Sequence, residues 1–102
     1  MIDRTRIAEL KANFGPEGFA EVVEIFEEET APVVDRLHHG HSNNPAADLH
    51  FVKGSADNMG LTELATICRR AEAALVGGGA PDLAGLRAAY DRGRAELLHP
   101  VA

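Results

Sequence analysis

The sequence predicts an all-α fold: an antiparallel four-helix bundle with an additional short N-terminal helix. Three observations carry that reading. Apolar residues recur at steps of three and four nearly throughout, with no sustained alternation that would mark strands. Glycine, proline and asparagine interrupt the pattern at connections short enough to make neighbouring helices antiparallel. At 102 residues the chain has room for one domain, residues 1–102, with a single modest core and no internal repeats.

The elements follow in order. A short first helix carries Ile7, Leu10 and Phe14 and stops near Gly15-Pro16. The second carries Phe19, Val23, Phe26, Thr30, Val33 and Leu37; Pro32 lies inside it and is expected to kink it, or to split it near Thr30-Ala31. The segment "HHGHSNNPAAD" then breaks the pattern: Gly40 suits a helix C-cap, Asn44 an N-cap and Pro45 a first helical position. A third helix is expected over Pro45–Met59, ended by Gly60. The fourth carries Leu61, Leu64, Cys68, Ala71 and Leu75 and ends at Gly77-Gly78-Gly79. Pro81 opens the last, with Leu83, Leu86, Tyr90, Gly93 and Leu97 in the same rhythm.

Composition excludes several functions. The formal net charge is −6, and no basic stripe with interleaved aromatics is present, so nucleic acid is not an expected partner. No apolar run approaches the roughly 20 residues that span a bilayer, and the amphipathic start is unlike a signal peptide, so a cytoplasmic protein without membrane contact is expected. An initiating Met1 followed at once by a helix favours a stand-alone protein over one domain cut from a sensor kinase. The lone Cys68 falls on a core stripe, which predicts a buried, unreactive thiol. The acids of "EGFAEVVEIFEEET" read first as a solvated helix face, and second as a surface that steers a basic partner.

Within "ADLHFVKGSADNMG" the helical wheel separates two faces. With His50 set at zero, Leu49, Val52, Ala56 and Met59 fall roughly 180–260° away and form the core stripe. Ala47, Lys53, Gly54 and Asp57 cluster within about 60° of His50, which therefore points outward from mid-helix. A glycine inside a helix costs about 1 kcal/mol relative to alanine. One physical reason for Gly54 is access, since a bare position one turn beyond His50 lets another protein approach the imidazole. An exposed imidazole is mostly uncharged near neutral pH, and its ring nitrogen is a competent nucleophile. Lys53 shares the face and can balance charge placed on the ring.

The stretch "HFVKGSADNMG" followed by "LTELATICRRAEAAL" resembles the signature of histidine-containing phosphotransfer domains. His50, Lys53, Gly54, Ser55, Gly60, Leu64, Cys68 and Glu72 stand where that pattern asks for them, and "FEEETAPVVDRL" resembles the family's preceding helix. The resemblance runs from about Phe19 to Leu75. It implies a phosphorelay intermediate in two-component signalling: His50 accepts a phosphoryl group from an aspartyl phosphate on a response-regulator receiver domain and passes it to another. Lys53 would orient or neutralise the phosphoryl group and Gly54 would leave room for the partner. The implied partners are receiver domains and a hybrid sensor histidine kinase. The chain itself is expected to be a phosphocarrier rather than an enzyme and to bind no cofactor, Mg2+ belonging to the receiver. Ala47, Phe51 and Asp57 border the histidine and are candidate partner contacts, although Phe51 fits equally well tucked against a neighbouring helix. Ser55, turned toward the core, reads as a packing residue.

Two other readings compete. His38, His39 and His41, with His99, could in principle hold a transition metal, but three histidines within four residues at a helix end give poor geometry, so no metal site is expected. The competing function is a non-phosphorylated interaction module that binds a receiver or kinase, against which an intact His50, Lys53 and Gly54 argue. A monomer is expected.

Overall fold

Four helices, linked α1–α2–α3–α4 around a closed ring of neighbours, make a body of 43 × 21 × 19 Å. They are α1 (Arg4–His38), α2 (Pro45–Asn58), α3 (Thr62–Val76) and α4 (Ala84–Leu98), in a computed structural model that describes residues 2–81 and 83–98. There is no strand among the described residues. Asn44 and Pro45 open α2 as expected, and Asp3 caps α1 although its sequence position did not single it out. Asp3 accepts a hydrogen bond from the backbone N–H of Arg6, Asn44 from that of Ala47, and Pro45 begins α2.

The stretch expected as a separate first helix forms the N-terminal arm of α1, which is two helical segments joined by a kink at Gly15, where the stop was expected. Gly15, with φ 71° and ψ 173°, is its only non-helical residue, so the helix bends there and resumes. Phe14, placed on the apolar stripe by its spacing, is instead 52% exposed, because the bend immediately after it ends the stripe that Ile7 and Leu10 begin. The N-terminal turns lie over the α2–α3 connection. Asp3 N–H donates to the Gly60 carbonyl at 2.7 Å, and Arg6 Nε donates to the Asn58 carbonyl at 2.9 Å, serving an unsatisfied group at the end of α2. Gly60 adopts φ 72°, and a Cβ there would stand 3.0 Å from the Asp3 carbonyl oxygen.

Pro32 does not split α1, and no residue near it leaves helical dihedrals. The N–H it lacks would have met the Glu28 carbonyl. Both residues are exposed, on the solvent side where water replaces a lost donor. On the opposite side Thr30 is fully buried: its hydroxyl donates to the Phe26 carbonyl at 2.6 Å and accepts from the Tyr90 hydroxyl at 3.0 Å. Tyr90 is thus core, as its spacing predicts, and ties α4 to α1.

The core runs through Val23, Phe26, Val34 and Leu37 of α1, Leu49, Val52 and Ala56 of α2, Leu64, Ala65 and Cys68 of α3, and Leu86, Ala89 and Tyr90 of α4. Gly93 lets Leu61 approach α4, since a Cβ there would lie 3.1 Å from both Leu61 methyl groups. Ion pairs join the outer edges. Arg36 grips Asp48 with two 2.8 Å bonds at the α1–α2 corner, and Arg92 grips Glu63 with two 3.0 Å bonds between α4 and α3. Arg94 reaches Glu27, and Arg87 reaches Asp35, between α4 and α1. Among the described residues no helix is long and apolar enough to cross a membrane.

Candidate functional site

Leu49, Val52 and Ala56 are fully buried, and Met59 nearly so, which fixes the rotation of α2 about its axis. That rotation turns His50 outward, with its side chain 74% exposed near the middle of a 14-residue helix. Gly54 is exposed one turn on, and a Cβ built there meets nothing within 4 Å. The fold has room for a side chain there, so packing does not account for the glycine. Ala47 is also exposed.

The side of α2 toward α3 is charged and partly buried. Lys53, mostly buried, places Nζ 3.2 Å from Glu72 Oε1 of α3. The other oxygen of Glu72 lies 3.8 Å from His50 Nδ1. Glu72 Oε1 is buried without a well-directed hydrogen bond, so its compensation is the ionic attraction of Lys53. One carboxylate therefore faces both the imidazole and the lysine. Asp57, a turn beyond Lys53, pairs at 3.8 Å with Arg69 of α3.

Glu72 is the residue that sequence reasoning left without a role. It lies twenty-two positions from His50, and only the packing of α3 on α2 brings them together. A signal existed on α3 itself: Glu72 falls about 40° from Cys68, on the edge of an apolar stripe where an acid is costly unless paired.

Phe51 is 40% exposed, neither tucked away nor fully presented. Ser55 is half-buried. Cys68 is buried, and burial first, then the nearby Glu72 charge, push its thiol up to about 12, so it is no nucleophile at physiological pH. The His39 ring lies against those of His38 and His41, yet among the described residues no group of three or more side chains is placed to hold a metal ion; His99 lies outside them.

An exposed imidazole held from behind by a carboxylate, with an ammonium on the same face and bare backbone in front, suits a nucleophile that receives a group from a large partner. The family model described as the Hpt domain matches residues 21–98, a span that contains His50, Lys53, Gly54 and Glu72. No curated protein and no solved structure matches the chain.

Proposed function

Because the chain belongs to the Hpt domain family, whose members are phosphotransfer modules of two-component signalling, we propose that it is a phosphorelay intermediate that carries a phosphoryl group on His50 between receiver aspartates. The observation that carries this reading is the contact between Glu72 and His50 Nδ1. A carboxylate at that nitrogen favours the tautomer with its proton on Nδ1, which leaves the lone pair on Nε2 for the solvent side.

The chemistry balances on these atoms. Nε2 attacks the phosphorus of an aspartyl phosphate, the acyl P–O bond breaks, and its electron pair leaves with the aspartate carboxylate. The new N–P bond makes the ring a cation that keeps its Nδ1 proton, and Glu72 offsets that charge. Lys53, whose Nζ pairs with the same carboxylate at 3.2 Å, would trade part of that attraction for the incoming phosphoryl oxygens. Transfer onward is the reverse at a second aspartate. The receiver supplies Mg2+, which neutralises phosphoryl oxygens during transfer. Hpt domains are phosphocarriers rather than enzymes, and in this reading the chain acts as a cytoplasmic monomer between a hybrid sensor histidine kinase and response regulators. Short links between the helices support an antiparallel arrangement, with α3 backing the reactive face of α2.

The test is to mix the protein with radiolabelled, phosphorylated receiver domains encoded in the same genome. Acid-labile, base-stable label on the wild type and none on His50→Gln is expected. Label persisting on His50→Gln moves the site elsewhere, and no label on wild type from any receiver ends the phosphocarrier reading.

A further inference from the structure

On the side of His50 away from Lys53, a groove of about 210 Å³ runs between α1 and α2. Its floor is apolar, with Phe26 and Met59 both buried. Ile25 and Glu29 of α1 form one rim, Ser55 and Asn58 of α2 the other. Ile25 is 52% exposed, large for a branched aliphatic side chain. Ser55 and Asn58 stand roughly 140° and 80° around α2 from His50, and about 7–12 Å along its axis. A standard protein interface covers about 800 Å² per partner, a disc of roughly 16 Å radius. An interface of that size centred on His50 reaches the near rim of the groove at Asn58.

We propose that this groove is a specificity pocket for one basic side chain, arginine or lysine, on the protein that exchanges phosphoryl with His50. The inference rests on the phosphocarrier reading and names what that partner must present. Glu29 is exposed and makes no ion pair among the described residues, whereas Glu27 two positions earlier is held by Arg94. A purely apolar plug would cover Glu29 without giving it a partner, a desolvation penalty with no return. A basic side chain satisfies both halves of the groove. Its alkyl stem lies on Phe26 and Met59 and its cation meets the Glu29 carboxylate, with Asn58 and Ser55 offering further acceptors. Glu28 beside Glu29, and Glu21 two turns earlier, also make no ion pair among the described residues, so the local potential draws the same sign of charge.

The experiment compares wild type, Glu29→Gln, Glu29→Lys and Glu24→Lys as acceptors from each phosphorylated receiver of the genome, at low and high salt. Glu24 lies about 140° around α1 from Glu29 and serves as the charge control. Glu29 is exposed, so its variants keep the fold, which circular dichroism checks. Expected is a loss of about fivefold in transfer rate for Glu29→Lys with at least one receiver, a smaller loss for Glu29→Gln, shrinkage of both at high salt, and little change for Glu24→Lys. Changing one lysine or arginine of that receiver to glutamate restores transfer to Glu29→Lys. If wild type is labelled and Glu29→Lys is labelled as fast by every receiver, the pocket is refuted and the phosphocarrier reading stands. If wild type takes no label, both fall. If sedimentation shows a dimer that Glu29→Lys dissociates, the groove seats a second copy and the proposal is overturned.

Discussion

Glu72 on α3 stands 3.8 Å from Nδ1 of His50 on α2, the one acidic side chain among the described residues that reaches the ring. An imidazole that is three-quarters exposed has little else to choose its tautomer. Glu72→Gln keeps the shape and removes the charge. Transfer onto His50 is expected to slow about two- to fivefold, the worth of a partly screened charge contact at 3.8 Å. In ¹⁵N spectra of the unphosphorylated protein, the same variant should lose its preference for the Nδ1–H form. Unchanged tautomer populations together with an unchanged rate would mean that Glu72 serves Lys53 alone.

Lys53 and Glu72 form a mostly buried ion pair, and such pairs punish single removal more than joint removal. Lys53→Met strands the buried Oε1 of Glu72 and is expected to cost about 1–3 kcal/mol of stability. Glu72→Leu strands the ammonium, which can still swing toward water, and costs less. The double variant Lys53→Met/Glu72→Leu should be more stable than the sum of its parts, and urea unfolding of the four proteins reads the coupling directly. Strict additivity would show that the pair is only a surface neighbour pair. Transfer activity should be low in all three variants.

Gly54 separates folding from function more cleanly. A Cβ there meets nothing within 4 Å, and alanine is the better helix former. Gly54→Ala should therefore raise stability by about 0.5–1 kcal/mol, which for a domain of this size is a few degrees in melting temperature. A larger exposed side chain, as in Gly54→Gln, keeps the fold and obstructs the approach to His50, so phosphotransfer should fall with unchanged circular dichroism. A Gly54→Gln variant that exchanges phosphoryl at the wild-type rate would remove the access argument.

Much of this was legible because the core stripes are regular. The wheel that buries Leu49, Val52 and Ala56 also turns His50 outward, and both statements need only 3.6-residue periodicity. Glycine and asparagine marked the ends correctly, since Gly60 needs its positive φ and Asn44 caps α2. Local rules failed where tertiary context decided. Pro32 looked like a break, but its missing donor faces water on one side while Thr30 anchors the other side of the helix to Tyr90. Phe14 looked like core until the bend at Gly15 ended the stripe. Glu72 was invisible as a neighbour of His50, because no spacing along the chain encodes the packing of one helix on another. The α1–α2 groove has the same cause.

The buried thiol of Cys68 makes the last prediction one of pH. Burial raises its ionisation from 9.0 to about 12 in the folded protein. Between these values the unfolded chain has lost the proton and the folded chain keeps it. Stability contributed by the neutral buried thiol is thus fully present below pH 9 and is lost as pH rises toward 12, at up to about 1.4 kcal/mol per pH unit. Burial also raises the ionisation of Tyr90, which adds to the same alkaline loss. Cys68→Ala removes one of the two groups and leaves the other. The variant should be less stable than wild type at pH 8, because it opens a small cavity in the core. The gap should narrow as pH rises from 9 to 11, since Tyr90 affects both proteins alike and cancels in the difference. Urea midpoints at three pH values measure it, and a gap that stays constant with pH would show that the thiol ionises as easily inside the fold as outside.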